Sequence, residues 1–427
     1  MESTAVHQGQ VYVGMDKLSF EFIQVALGKR RSLSSAINNS DWHRLFEFCK
    51  RQALIGVGFT AVEKLHAMGV VCPAALRMQW MALALQIEKR NALLNEQCRQ
   101  LTDRYKHDGF STCILKGQGN LLNYPDHLRK RRQCGDIDVW ATPISDEGLR
   151  IKDNGIAIAV QTGKEEVEYV EYHGRKAVRE YVKMLHRLEV NKEKPVIRYH
   201  HIEAPKIDGT EVEVHFRPCY AHSPLRNWRM QRWFIDHADV CMKNKTHMGF
   251  AVPTASVNVV YQMCHLFSHY FDEGLGLRQL MDYYYVLRVW HNDVMECQDL
   301  QSQGMWSEGL GTPVMSKEEV MAVLRSFGMK KFAASVMYVL QEVFAMPSLY
   351  YICEPNEKEG KKLLAEIMQG GNFGQYDTRD AALKNGGMMK HGLWKLKRVL
   401  RLVRSYPEEA LWEPVFRVYH LFWRITH

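Results

Sequence analysis

Two aspartates stand at alternating positions of a short apolar run, Gly135-Asp136-Ile137-Asp138-Val139. In an extended strand, residues two apart project from the same face, so both carboxylates point one way while Ile137 and Val139 point the other. Mg²⁺ suits such a pair because it takes oxygen ligands and shares its coordination shell with substrate phosphates. The pair therefore predicts a divalent-metal site, although a strand with a solvated polar face has the same pattern.

A later segment supplies a third carboxylate. Two alternating runs, 196–203 and 210–217, flank Asp208-Gly209, and an Asp-Gly dipeptide in that position is a strong signal for a β-hairpin. In the second run, Glu213 and His215 share one face. We expect this face to lie near the aspartate pair, although acidic alternation is also common in antiparallel sheets.

The register of this hairpin decides which side chains meet. A two-residue turn places Glu213 opposite Ala204 and Arg217 opposite His200. A one-residue slip brings His201 to that side instead.

Positive charge precedes the aspartates at two places. Lys116 follows the apolar run 111–115 and precedes Gly117, so its ammonium can reach a phosphate as a point charge or extend into solvent. Residues 129–132 read Arg-Lys-Arg-Arg, which is typical of a solvated face. Their position just before the aspartates favours a role for at least one of them in neutralising a phosphate, and Arg132 is the main candidate.

The surrounding pattern predicts an α+β fold in which a small mixed β-sheet core is flanked by N-terminal and C-terminal helical regions. The predicted divisions are a helical region at 1–106, the α/β core at 107–220 and a second helical region at 221–427. Within them we predict helices over 176–188, 257–290 and 393–404.

Composition narrows the class of protein. With 427 residues, 46% hydrophobic and 24% charged, the chain is typical of a globular protein with more than one core. Its net charge of +8 favours anionic ligands. Residues 1–10 have no basic-then-apolar run, so we expect no secretory signal, and no run of about 20 apolar residues is present. Ten cysteines occur without a Cys-x-x-Cys pair, which favours reduced thiols. The expected location is the cytoplasm, with no integral membrane segment.

At this point the sequence resembles a known group, an uncharacterised bacterial nucleotidyltransferase family of the DNA polymerase β-like nucleotidyltransferase superfamily. The motifs that carry the resemblance in the core are Leu115-Lys116-Gly117, Tyr124, Arg132, Asp136-Ile137-Asp138 and Glu213-Val214-His215. Outside the core, the similar positions are Asp41-Trp42, Arg90-Asn91, His265, Leu277-Arg278 and Asp282.

The resemblance implies an enzyme that binds ATP or another nucleoside triphosphate together with Mg²⁺ or Mn²⁺. It would move a nucleoside monophosphate to an acceptor hydroxyl and release pyrophosphate. By the resemblance, the catalytic metal ligands are Asp136, Asp138 and Glu213, and the nucleotide or phosphate contacts are Lys116, Gly117, Arg132 and His215. The acceptor stays open among a small molecule, a protein side chain and an RNA end.

Two departures from the family pattern keep an alternative open. The superfamily turn is Gly-Ser or Gly-Gly about ten residues before the first aspartate, whereas here it is Lys116-Gly117 with a longer gap. The segment 145–195 also fits poorly. The alternative is a catalytically inactive nucleotide-binding or scaffold protein that retains the fold. A kinase-like site is disfavoured because the chain has no Walker loop.

Three further features have an ordinary structural interpretation. His265 and His269 have the spacing of two metal ligands but lack the His-Glu-x-x-His motif, so we expect histidines that pack a helix or line a pocket. Arg278 and Asp282 are predicted to form an ion pair within one helix. The basic stretch 393–404 predicts a packed helix with a cationic outer face, with contact to an anionic surface as the alternative.

Overall fold

The computed structural model describes residues 17–144, 149–152, 155–157, 170–189, 194–303, 314–379, 383 and 386–426. Helices make up the N-terminal part: α1 (17–26), α2 (Asn39–Arg51), α3 (Ile55–Ala67) and α4 (Ala74–His107). The middle part contains β1 (Phe110–Ile114), α5 (Gln118–Leu121), α6 (Asp126–Arg129), β2 (Ile137–Pro143), β3 (Leu149–Lys152), β4 (Gly155–Ala157), β5 (Val170–Tyr172), α7 (Gly174–Leu188), β6 (His201–Ile207) and β7 (Thr210–His215).

The C-terminal part is again helical. Its helices are α8 (Pro224–Asp236), α9 (Ala238–Lys243), α10 (Ala255–Asp272), α11 (Leu277–Ser302), α12 (Lys317–Ser326), α13 (Lys330–Phe344), α14 (Glu357–Gly370), α15 (Met388–Leu402) and α16 (Pro407–Thr426). Short 3₁₀ turns cover Ser348–Tyr350 and Asn372–Gly374. The predicted α+β class is therefore confirmed, whereas the predicted divisions after residues 106 and 220 stay predictions.

The central sheet has four strands in the order β1-β2-β7-β6. β1 pairs with β2 and β6 pairs with β7 in antiparallel fashion, while β2 and β7 run parallel. The sheet is thus mixed, as predicted. Its central parallel pair brings together the two segments that carry the candidate acidic residues.

One face of the sheet packs against α4 and α7. Ile137, Val139 and Ala141 of β2 lie in one buried cluster with Tyr105 of α4 and Tyr181 of α7. Because side chains alternate along a strand, the intervening residues of β2 project from the opposite face. The side chains of Ile137 and Val139 therefore face the core, as predicted.

Helix α10 is held near the sheet by buried amide side chains. The side-chain amide of Gln262 donates to the carbonyl of Leu115 over 3.3 Å, and that of Asn258 donates to Asn120 Oδ1 over 3.1 Å. His265 and His269 follow Gln262 at spacings of three and seven residues, which keep them on the same side of the helix.

The single helix predicted over 257–290 is wrong. The structure has two helices, α10 and α11, that are separated by residues 273–276. Gly274 in this break has a backbone φ of +134°, a value that residues with a side chain rarely adopt. An added Cβ would lie 2.9 Å from the backbone nitrogen of Gly374. Glycine therefore permits both the break and the close approach of a second loop.

The other predicted helices are present with shifted ends. Residues 176–188 lie in α7, and residues 393–402 lie in α15. The poorly fitting segment 145–195 contains β3, β4 and β5, which form a separate sheet in the order β4-β3-β5. The rest of that segment before α7 lies largely outside the described residues. In the part of the chain that the structure describes, no helix is both long and apolar enough to cross a membrane.

Candidate metal and nucleotide site

The parallel pairing of β2 with β7 sets Asp138 directly beside Glu213. His215 completes the group, because its Nε2 lies 3.1 Å from Asp138 Oδ1 and 3.5 Å from Glu213 Oε2. One ligand atom from each of the three residues lies within 4.8 Å of the others. The structure thus unites three of the predicted residues, which we call the acidic cluster.

Lys116 reaches this cluster from the end of β1. Its Nζ lies 2.9 Å from Asp138 Oδ1 and 3.8 Å from Asp136 Oδ2. Burial disfavours the ammonium form, but the carboxylates of Asp138, Asp136 and Glu213 outweigh this effect and raise the pKa of Lys116. Lys116 is therefore a fixed positive charge at the cluster.

Gly117 allows the turn that aims Lys116 inward. Its φ and ψ are +59° and −110°, a combination that glycine adopts far more easily than other residues. It precedes the short helix α5, and an added Cβ would lie 3.5 Å from the carbonyl oxygen of Asp136. Gly117 therefore shapes the Lys116 turn through its backbone conformation.

Asp136 lies further from the Lys116 ammonium and is more exposed than Asp138. It precedes β2, which begins at Ile137, and its side chain is 40% exposed, whereas that of Asp138 is fully buried. Among the described residues, the candidate metal groups include Asp138 but not Asp136. The two aspartates share the ammonium of Lys116 in this structure, so Asp136 stands at the rim of the acidic cluster.

The predicted hairpin turn is present, and of the two registers that the sequence left open the structure has the one slipped by one residue. Ile207 pairs with Thr210 across the two turn residues, as expected, yet further along Glu203 lies opposite Glu213. Two residues of β6, Pro205 and Lys206, stand where β7 has only one. A proline has no backbone N–H for the ladder, and a β-bulge is one of the few places in a sheet that accepts it.

This bulge slips the hairpin by one residue and brings His201 opposite His215. His201 Nδ1 lies 3.0 Å from His200 Nε2 and 3.5 Å from Glu213 Oε2. Burial lowers the pKa of His201 to about 4, although Glu213 opposes the shift. His215 behaves in the opposite way: burial lowers its pKa, but Asp138 and Glu213 outweigh burial and raise it to about 9.

Arg132 is not brought to the acidic cluster. It is buried and forms a two-pronged ion pair with Asp282 of α11, with Nε–Oδ1 and Nη2–Oδ2 distances of 2.9 and 2.5 Å. The hydroxyl of Tyr124 donates to the same carboxylate over 2.6 Å. The arginine expected to contact a phosphate instead fastens the loop before β2 to the C-terminal helices.

The ion pair predicted within α11 is therefore also wrong. Asp282 is engaged by Arg132, and Arg278 Nη1 donates to the carbonyl of Gln133 over 2.8 Å. Both α11 residues hold the same loop. Their spacing along the helix could not reveal these partners, which lie about 150 residues away in the chain.

A cavity of about 670 Å³ opens beside the acidic cluster. The predicted residues that line it are Lys116, Asp136, Glu213 and His215, together with His265 and His269. The expectation that the last two pack a helix or line a pocket is confirmed. Sequence reasoning missed further lining residues, which include Arg198, Tyr199, Tyr220, Asp272, Glu273, Phe373, Trp394, Lys395 and His420.

The wall formed by α15 differs from the predicted cationic outer face. Trp394 and Lys395 line the cavity, and Arg398 is buried and donates to the carbonyls of Tyr270 and Phe271. Part of the basic stretch is thus used inside the protein. In the sequence, the only sign that this stretch lines a cavity was a tryptophan close to several basic residues.

The donor set of the acidic cluster fits a divalent cation. Asp138 Oδ2 is buried and has no hydrogen-bond partner among the described residues, which is costly for a carboxylate oxygen unless a cation or another donor is supplied. Two carboxylates match the preference of Mg²⁺ for oxygen ligands, and an added imidazole nitrogen is also compatible with Mn²⁺. Asp138, Glu213 and His215 are therefore the residues that could hold the ion.

Comparison with known proteins agrees with this geometry. A family model described as an uncharacterised nucleotidyltransferase matches residues 38–304. The match spans α2 to α11, including the central sheet, and does not reach α1. No curated protein and no solved structure matches the chain.

Proposed function

Since the chain belongs to the uncharacterised nucleotidyltransferase family, we propose that it moves a nucleoside monophosphate from a nucleoside triphosphate to an acceptor hydroxyl. Pyrophosphate is the second product, and a divalent cation, Mg²⁺ or Mn²⁺, is required. Family membership supports a transferase role in general. To this general role we add the site residues and the metal requirement.

The observation that carries the proposal is the parallel register of β2 and β7. It places Asp138 beside Glu213, and in the described part of the chain Asp138 Oδ2 is buried without a hydrogen-bond partner. The Lys116 ammonium and the protonated His215 ring offset part of the negative charge of the two carboxylates, but neither supplies a hydrogen bond to Asp138 Oδ2. This arrangement supports a site that is built around a divalent cation.

Asp138 and Glu213 would hold that cation, with His215 as the neighbouring nitrogen donor. When bound, the ion neutralises charge on the triphosphate and polarises the phosphorus that is attacked. Lys116 would supply a second positive charge on the same side of the cavity. Because it is held near Asp138 and Asp136 by their charges, its ammonium is oriented before a nucleotide arrives.

Glu213 is also placed to act on the acceptor. Its carboxylate is 27% exposed and lines the cavity, whereas Asp138 is fully enclosed. The exposed oxygen could take the proton of an acceptor hydroxyl, and Asp138 would act only as a ligand. A cavity of about 670 Å³ lies in the range of small-molecule sites, about 300–1,000 Å³.

Pyrophosphate release is the test. The full-length protein would be incubated with Mg²⁺ or Mn²⁺, each of the four nucleoside triphosphates and three acceptor pools: small alcohols and sugars, proteins, and RNA. We expect metal-dependent release with at least one pool. Asp138→Asn and Glu213→Gln should lower the rate by about a hundredfold or more, in the range found when one stabilising group is removed from a catalytic site.

Two further variants make the comparison specific. Asp126→Asn is the matched control, since this carboxylate is 92% exposed and pairs with Arg129 on its own short helix. It should leave the rate unchanged. Asp136→Asn should reduce the rate less than Asp138→Asn does. Equal rates for the wild type and Asp138→Asn would refute the assignment of the site.

A further inference from the structure

Three arginines gather on the side of the sheet that faces α7. Arg175 and Arg179 lie in the first two turns of α7, and Arg217 follows the end of β7; we call them the arginine cluster. The guanidinium carbons of Arg179 and Arg217 lie 5.1 and 5.3 Å from the ring of Phe216. Both guanidinium carbons also lie within 6 Å of the Trp423 ring, so the two charges contact the same two aromatic rings.

No member of the cluster has a carboxylate partner among the described residues. Arg175 donates to Gln231 Oε1 over 2.9 Å, and Arg217 donates to the carbonyl of Tyr199; both acceptors are neutral. Arg179 is only 7% exposed. Among the residues that the structure describes, the buried Nε–H groups of Arg179 and Arg217 have no acceptor.

Such an arrangement is unfavourable unless something compensates it. Buried charged groups in proteins are normally paired, and each unmade hydrogen bond of a buried donor costs free energy. The aromatic faces offset a part of this cost. The positive end of the α7 dipole adds to the charge, and the first turn of α7 contains no acidic residue.

The electrostatics of the three guanidinium groups agree with the geometry. Burial lowers the pKa of Arg179, and the nearby charge of Arg217 lowers it further. Burial and the charges of Arg217 and Arg179 lower the pKa of Arg175 to about 10, although Tyr199 opposes the shift. The three cations therefore repel one another, and a bound anion would relieve both the repulsion and the missing hydrogen bonds.

We infer that the arginine cluster is a binding site for a phosphoryl group, separate from the acidic cluster. Guanidinium groups match the oxygens of phosphate with paired N–H donors, which makes phosphate the anion class that this site fits best. The site adjoins the cavity through Tyr199, which lines the cavity and stacks on Arg217 at 4.2 Å. The inference stands whether or not the chain transfers nucleotides.

Inorganic phosphate is the probe. The melting temperature of the full-length protein would be followed against phosphate concentration, without divalent metal and with a bulky sulfonate as the only other anion. Phosphate should stabilise the wild type in a saturable manner. Arg179→Gln should weaken the apparent affinity by about tenfold or more, the effect expected for a lost charge-assisted hydrogen bond.

Two controls separate this site from other phosphate contacts. Arg187→Gln removes an exposed arginine from the same helix and should leave the response unchanged. Lys116→Met removes the cation of the acidic cluster and should also retain the response. An unchanged affinity in Arg179→Gln, or the absence of any stabilisation of the wild type by phosphate, would overturn the inference.

The stability of the variants without phosphate provides an independent check. If an anion normally compensates the cluster, Arg179→Gln should melt no lower than the wild type in phosphate-free buffer, because it removes an uncompensated buried cation. Arg217→Gln should behave in the same way. A clear loss of stability in both variants without phosphate would mean that the arginines serve only to pack the aromatic rings, and would overturn the inference.

The same titration distinguishes two sources of the phosphoryl group. It would be repeated with a saturating non-hydrolysable nucleoside triphosphate and Mg²⁺. Loss of the phosphate response would assign the site to the phosphate chain of the nucleotide. A retained response would assign it to a phosphate on a second molecule. Failure of nucleotide turnover would leave the phosphate response intact, so the two proposals can fail separately.

Discussion

Removing the buried partner of Arg132 should destabilise the whole protein. Arg132 and Asp282 are both nearly inaccessible to solvent, and two hydrogen bonds of 2.9 and 2.5 Å join them. Asp282→Asn removes the negative charge and leaves the guanidinium buried without a counter-ion. Breaking a buried ion pair on one side costs about 3–5 kcal/mol. The hydrogen bond from the Tyr124 hydroxyl to the same carboxylate places the effect towards the upper end.

Urea denaturation followed by circular dichroism would measure the loss. Arg132→Met should show a similar decrease, since it leaves the Asp282 carboxylate buried and unpaired. The double variant Arg132→Met/Asp282→Leu should be clearly more stable than the sum of the single changes predicts, because an apolar pair needs no compensation. The control is Asp236→Asn in the exposed pair Arg232–Asp236 of α8, for which we expect less than about 1 kcal/mol.

The result also distinguishes anchoring from ligand binding. If Arg132 only fastens the loop before β2, nucleotide affinity at a temperature where the variant is folded should change little. A variant Arg132→Met with wild-type stability and strongly weakened nucleotide binding would refute this reasoning. Arg132 would then contact a phosphate of the nucleotide, as its position in the sequence suggests.

Two further predictions concern the turn at the site and the dependence of stability on pH. Gly117→Ala forces an alanine into a backbone conformation that costs about 1–3 kcal/mol, so both the melting temperature and the turnover rate should decrease. The control is Gly135→Ala, which has open space for a Cβ and should change the melting temperature little. Burial raises the pKa of Glu359, but the hydrogen bonds from Lys362 and Ser405 and the nearby charge and hydrogen bond of Lys331 together outweigh it and lower the pKa to about 2. The stability this group contributes is therefore present above its unfolded pKa of about 4.5 and disappears as the pH falls towards 2. Melting curves of Glu359→Gln between pH 7 and pH 2 should show lower stability at neutral pH and a smaller loss on acidification. Parallel curves for variant and wild type would contradict that assignment.

Some of the site could be predicted from the sequence because its cause is local. Alternation along a strand fixes which side chains share a face, so the inward direction of Ile137 and Val139 followed from the pattern alone. The same argument put Glu213 and His215 on one face. Their proximity to Asp138 followed from the order of the motifs.

What could not be predicted depends on where strands stop and what pairs with them. Asp136 lies just outside β2, because the pairing with β7 begins at Ile137 and Val212. An Asp-x-Asp pattern does not show whether both aspartates fall inside the paired segment. The register of the hairpin is a related case, although Pro205 in β6 was a visible warning of a bulge.

The roles of charged residues were the hardest part to predict. A run of four basic residues looks alike whether it contacts solvent, phosphate or a distant carboxylate. Arg131 contacts Glu63 and Glu88, Lys130 also contacts Glu88, and Arg132 contacts Asp282, so at least three of the four are used in holding the loop. These partners come from helices that only the folded chain brings together.

The central claim is that Asp138 and Glu213 support the transfer of a nucleoside monophosphate. Its most direct test compares nucleoside triphosphates labelled on the α-phosphate with those labelled on the γ-phosphate, in the presence of Mg²⁺ and the acceptor pool that gives pyrophosphate release. We predict that the α-label becomes attached to the acceptor, that the γ-label leaves with pyrophosphate, and that Asp138→Asn abolishes both events. Attachment of the γ-label, or equal attachment of the α-label by Asp138→Asn and wild type, would contradict the claim.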